Sequence, residues 1–227
     1  ANELFPNEKT IYYERMAFMV NIPTITQDIN GQLLELTVGG VKAYNLDNMN
    51  TNKGGYEHFK IFIGFKNTVC TNLCISTDGA KLDLKVKSLQ ELYANAYELF
   101  TGFDAFKEIN TLEALPDYEL TEEQFAKLIG RSRLYQFLPK EEKLQIPELL
   151  ISDTQISRIA ESYYTDENFS RHESGRIDLW RLYNLMTGAV KSSYIDKFLE
   201  REVNALQFTR QIQNALERPS SGFWYLS

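Results

Sequence analysis

Six residues from Gly188 to Ser193, Gly-Ala-Val-Lys-Ser-Ser, bring together a glycine, a lysine and two hydroxyls, the residue types that cradle a phosphate. A Walker-type loop needs Gly, four residues and then Gly-Lys-Ser/Thr after a buried strand, so that successive backbone N–H groups converge on the phosphates. Here the single glycine follows DLWRLYNLMT, an apolar segment of helical period. The pattern reads as a corner between two helices, with Gly188 closing the first in a left-handed cap and Ser193 and Asp196 capping the second. Lys191, close to a helix N-terminus, is the residue there that would meet an anion.

Other chemistry-bearing patterns are sparse. Asp83-Leu84-Lys85 matches the acid-x-Lys arm of metal-dependent nucleases, in which the acid holds Mg²⁺ and the Lys stabilises charge. Composition alone yields about two such triplets, and Glu141-Glu142-Lys143 is the second. Cys70 and Cys74, the only cysteines, would lie on one face of an extended strand roughly 13 Å apart, too far for a disulfide. His58 and His172 are not at zinc-finger spacing from them. Reduced, metal-free thiols in a cytoplasmic chain are therefore expected. No G-x-S-x-G, H-E-x-x-H or G-x-G-x-x-G occurs. These patterns point away from an enzyme, and no catalytic residue, metal or cofactor is expected.

Charge is the remaining signal. The 227 residues carry a net charge of −7, which gives no general attraction to nucleic acid or to an anionic membrane, so a polyanion site would be local. Two local basic groups exist. Lys60, Lys66, Lys81, Lys85 and Lys87 fall on the outward positions of two strands with Phe62 among them, a cationic track with a stacking aromatic of the kind that binds single strands. The alternative is a solvated strand face on which Lys guards against edge pairing. Arg131, Arg133, Lys140, Arg171 and Arg176, from GRSRLYQFLPKEEK and SRHESGR, form a second group in sequence, which Lys191 extends.

These residues need elements to position them, and the period of the apolar pattern changes near residue 88. Before it, TIYYERMAFMVNI and QLLELTVGGVKAY are strands joined by TQDING, whose Asn-Gly signals a hairpin. FKIFIGFK, VCTNLCIS and AKLDLKVK complete an antiparallel sheet, and NLDNMNTNKGGYE is a loop. After it the period is helical. Ser88 caps a helix with Leu89, Leu92, Tyr93, Ala96 and Leu99 on one stripe; TEEQ at Thr121 opens a second that Pro139 closes; Ser152-Asp153 caps a third; DLWRLYNLMTG is a buried fourth; a long fifth ends at Pro219, with Ile195, Phe198, Leu199, Leu206, Ile212 and Leu216 inside. The expected fold is α+β, an antiparallel sheet of about five strands over residues 1–88 followed by about five helices over 89–227, packed on or beside it as one continuous fold.

Four segments, EKTIYYERMAF, FIGFKNTVCTNLCISTDG, AKLIGRSRLYQFLPKEEK and DLWRLYNLMTGAVKSSYIDKFLEREVNA, resemble an uncharacterised Bacteroidetes domain-of-unknown-function family found in genomes and on mobile elements. The resemblance covers nearly the whole chain and implies a further N-terminal segment, in keeping with the absence of an initial Met. VCTN and LWRLYNLMTG are more distantly similar to phage- and plasmid-related proteins. The resemblance implies an accessory role in mobile-element DNA metabolism, and with the Lys-lined face it gives an expected partner, single-stranded nucleic acid. The competing expectation is an acidic protein-interaction or inhibitor module whose aromatics meet a protein partner or a second copy. A metal-dependent nuclease requires acids and Lys85 to converge on a metal. No membrane partner is expected.

Overall fold

The computed structural model describes residues 16–42, 57–76, 79–219 and 222–227. The start of the first expected strand and nearly all of the loop NLDNMNTNKGGYE lie outside them. The chain is α+β, with the antiparallel sheet in the N-terminal part and helices dominating the C-terminal half. It divides into two compact units, residues 1–108 with 193–200 and residues 109–192 with 201–227.

The first unit is built on five strands. β1 (Met16–Ile29) and β2 (Gln32–Lys42) form a hairpin, and β2 pairs along its other edge with β3 (Glu57–Asn67). The far edge of β3 is shared: β4 (Leu73–Cys74) pairs with Phe65 and Lys66, and β5 (Ala80–Val86) pairs with the first half of the strand. The turn between β1 and β2 is two residues, Asn30 and Gly31, with φ of 53° and 76°, the left-handed pair that a tight hairpin requires and that Asn-Gly adopts at least cost. β1 runs further than the apolar pattern alone suggests because it crosses Pro23. The ladder slips there, Ile22 facing Leu36 and Thr26 facing Glu35, since proline has no N–H to donate.

The strand expected over VCTNLCIS contracts to Leu73–Cys74. Residues 68–72 turn instead: Thr71 takes φ 58°, the Thr68 N–H donates to the Leu33 carbonyl, and the Asn67 N–H donates to the Asn72 carbonyl. Cys70 and Cys74 therefore do not share a strand face, and they form no disulfide. Ile61, Ile63 and Phe65 of β3 enter the core with Leu34, Leu36, Val86 and Leu99. The last comes from α1 (Leu89–Gly102), which packs against β3 and β5.

The second unit is helical: the end of α2 (Ala105–Glu113), then α3 (Glu122–Phe137), α4 (Lys140–Lys143), α5 (Asp153–Thr165), α6 (Leu179–Val190) and most of α7 (Ile195–Glu217). Local chemistry fixes most starts. Thr121 and Ser152 each form a full capping box, with Gln124 and Gln155, and the Asp178 carboxylate caps α6 by accepting from the Arg181 N–H. A two-stranded ladder, β6 (Glu119–Leu120) with β7 (Ile177–Asp178), stands in this helical half, too short to leave a periodic signal. α6 is buried on almost all sides, as its apolar circumference requires. The core is aromatic: Phe125 stacks on Tyr163 with centroids 3.9 Å apart, and Phe208 meets Tyr225 edge-on at 4.7 Å. Of the inward residues expected on α7, Leu199, Leu206 and Ile212 are buried, Phe198 and Leu216 are half-buried, and the Ile195 side chain lies outside the described residues. No helix among the described residues is long and apolar enough to cross a membrane.

The corner at residues 188–194 is a corner, built differently from the sequence expectation. Gly188 does not take a left-handed φ; it sits inside α6, which continues to Val190. Ser192 stabilises that end instead, donating its hydroxyl to the Ala189 carbonyl at 2.9 Å and accepting from Gln155 Nε2 at 3.2 Å. α7 opens at Ile195, two residues after Ser193, and the side chain of Asp196, the other member of the expected cap, lies outside the described residues. The helix tolerates the glycine because tertiary burial of α6 outweighs its cost of about 1 kcal/mol.

Candidate functional site

The two lysine-bearing strands place their residues unequally. Lys60 and Phe62 point to the face of β3 opposite Ile61 and Ile63, and that face is covered: Phe62 is 3% exposed and Lys60 6%. The cause lies in VGGVK of β2. Gly39 stands in register with Phe62, and the ring occupies the space a side chain would take; a Cβ at Gly39 would come within 2.6 Å of Phe62 Cζ and 2.5 Å of the Phe18 carbonyl. The Lys60 ammonium is paired with the Glu200 carboxylate from the start of α7, a contact between residues 140 apart in sequence. Lys66 is half-buried, opposite Glu35 in the β2–β3 register. Lys85 and Lys87 are exposed, and the side chains of Lys81 and Asp83 lie outside the described residues. Of the five expected contact residues whose side chains are described, Lys85 and Lys87 are the exposed ones, and Phe62 is not on a surface where a base could stack.

The arginine group is occupied by internal partners. Arg133 forks onto Asp153 at 2.8 and 3.3 Å, and Arg176 donates to Glu119 at 2.6 Å. Arg171 lies 3.4 Å from Glu122 and over the rings of Tyr163 and Tyr164, at 5.6 and 4.8 Å from their centroids. Arg131 lies over Trp224 at 4.9 Å and donates to the Ser227 carbonyl. Lys191 is exposed near the end of α6. The geometry makes these arginines clamps that join α3, α5, the 6–7 ladder and the C-terminal segment.

His172 belongs to that clamp. Its Nε2 is 2.9 Å from Asp178 Oδ2, which also receives Arg181 Nε at 3.2 Å while Oδ1 caps α6. A His–Asp pair orients imidazole for base catalysis when a nucleophile stands on its far side. Here the carboxylate is committed to a helix cap and a guanidinium, so the pair reads as structural. No group of three or more His, Cys, Asp or Glu that could hold a metal ion occurs among the described residues.

A buried charge stands apart from these networks. Glu202, on α7, is 0% exposed, and neither of its carboxylate oxygens has a hydrogen-bond partner among the described residues. Burial pushes its carboxyl well above the usual range, against the weaker opposing pull of Lys191.

An exposed apolar stripe lies on α1. Ser88 caps it, accepting from the Glu91 N–H at 3.2 Å, and Leu99 anchors its inner side in the core. The single stripe expected on this helix divides. Leu92 and Ala96 are half-buried, while Leu89 is exposed and Tyr93 is 69% exposed. Tyr97, at 72%, and Phe100 extend the exposed set. At 100° per residue, Leu89, Tyr93, Tyr97 and Phe100 fall within an arc of about 80°, and the helix acids Glu91 and Glu98 lie on the other side. These four side chains leave roughly 450 Å² of mostly apolar surface in water, at the level of the largest patch on an ordinary monomer. Tyr97 and Phe100 were legible in principle: with Leu92, Ala96 and Leu99 already filling a core-facing stripe, a second apolar stripe beside it exceeds what a helix on a sheet can bury.

No curated protein and no solved structure matches this sequence. One family model does, over residues 1–226: a domain of unknown function described from a B. Theta gene, DUF3871. With that match spanning essentially the full length, the chain belongs to the DUF3871 family.

Proposed function

We propose that the chain is an acidic protein-interaction module whose docking element is α1. The observation that carries the reading is the exposed, charge-free stripe of Leu89, Tyr93, Tyr97 and Phe100 on an otherwise well-capped and anchored helix. Aromatic residues at such density are enriched where one protein buries against another, and charged residues are depleted at the centre of such patches. The burial of Phe62, the Lys60–Glu200 pair and the internally clamped arginines weigh against the alternative, a single-strand-binding accessory of mobile-element DNA metabolism. That alternative retains Lys85 and Lys87.

Site-specific photo-crosslinking in cells tests the reading. A benzophenone side chain in place of Tyr97 is expected to give a discrete protein adduct, and the same group in place of Phe137, which is 80% exposed in the second unit, is expected to give none. Absence of any adduct at Tyr97, together with binding of a labelled single strand that weakens steeply with salt, replaces the interaction reading with the nucleic-acid one.

A further inference from the structure

The α1 stripe has an internal symmetry that suits a second copy as its occupant. The position numbers of Leu89 and Phe100 sum to 189 and those of Tyr93 and Tyr97 to 190, so the four residues are arranged almost symmetrically about a point between Ala94 and Asn95. Reversing the helix about that point, at 1.5 Å per residue, brings Leu89 to the height of Phe100 and Tyr93 to the height of Tyr97 along the axis to within about 1 Å. A closed two-fold interface requires this property, residue i meeting residue j while j meets i. We propose that α1 pairs antiparallel with α1 of a second copy, Tyr93 of each packing on Tyr97 of the other and Leu89 on Phe100. This rests on the interaction reading above and names its partner.

Charge and area agree with a second copy. Two chains of net charge −7 repel at most orientations. Gln90, Ala94 and Thr101 flank the stripe on one side and Ala96 on the other, while Glu91 and Glu98 point away from the seam. An antiparallel pair on this face lets acidic copies meet through neutral surface. Burying roughly 450 Å² from each copy, with the flanking residues as rim, approaches the ~1,000 Å² total that separates specific interfaces from incidental contacts.

Sedimentation equilibrium of the full chain is the test. The wild type is expected to sediment at twice 26.3 kDa at micromolar concentration. Tyr93→Glu with Tyr97→Glu, which places charge inside the seam, is expected to weaken the dimer by about a hundredfold, with the circular dichroism spectrum retained. Phe137→Glu, an equally exposed aromatic elsewhere, leaves the dimer intact. A monomeric wild type overturns the proposal, and so does a dimer indifferent to the double substitution. Should the double variant lose its fold, Tyr93→Lys mixed with Tyr97→Glu replaces it: a heterodimer stronger than either homodimer supports the pairing, and equal association refutes it. A monomer that still crosslinks through position 97 to a different protein overturns the second copy and leaves the interaction reading standing. A monomer with no adduct ends both.

Discussion

Replacing Glu202 with Gln should abolish a pH dependence of stability that the wild type carries. The Glu202 carboxyl is fully buried, with no hydrogen-bond partner for either oxygen among the described residues, so burial holds its folded pKa well above the carboxylate range. Below the unfolded value, about 4.3, both states are protonated and the group contributes no pH dependence. Above it the unfolded chain loses the proton while the folded chain keeps it, so stability falls as pH rises, until the folded group itself ionises. The slope of one proton is about 1.4 kcal/mol per pH unit. Glu202→Gln removes that slope and leaves other titrations unchanged, so the stability difference between variant and wild type should grow by about that amount from pH 5 to pH 6. Urea unfolding at each pH reads this as a midpoint gap widening by about 0.5–1 M per unit. A difference that stays constant across pH would refute the argument, because it would mean that Glu202 is ionised in the folded chain.

Three further outcomes follow from the geometry. Gly39→Val drives a side chain into Phe62 and the Phe18 carbonyl, and should lower stability by about 3 kcal/mol, the upper part of the overpacking range, in a thermal melt. Glu200→Ala should cost about 2 kcal/mol by removing the carboxylate paired with buried Lys60, less than for a fully buried pair because Glu200 is partly exposed; adding Lys60→Met should restore most of the loss, as a double-mutant cycle will show. Asp178→Ala should cost about 2 kcal/mol by removing the α6 cap and the shared partner of His172 and Arg181, measured by chemical denaturation.

Features encoded locally were legible in the sequence. The Asn30-Gly31 hairpin, the Thr121 and Ser152 capping boxes and the buried circumference of α6 each depend on residues a few positions apart, so the pattern and its cause lie in one window. Features set by distant partners were not. Alternation along β3 separates Lys60 and Phe62 from Ile61 and Ile63 correctly, yet it cannot tell an open face from a covered one. That was decided by Gly39 on β2 and Glu200 on α7. A glycine pair inside a strand was the available signal, since it marks a place where another group approaches the backbone closely. The arginines failed as a basic cluster for the same reason, because their carboxylate partners come from 20 to 57 residues away in other elements only in the folded chain. Gly188 reads as a helix cap by sequence because no local rule reports that burial would carry α6 past it.

The measurement that bears most directly on the central claim is a pulsed electron-resonance distance between copies of the chain, labelled at single cysteines in a Cys70→Ser, Cys74→Ala background. An antiparallel α1 pair centred between Ala94 and Asn95 places labels at Ala94 nearly opposite each other, and separates labels at Thr101 by about 16 Å more along the helix axis. The account predicts a short intermolecular distance at Ala94 and a clearly longer one at Thr101. Equal distances at the two positions, or no intermolecular distance at either, would contradict it.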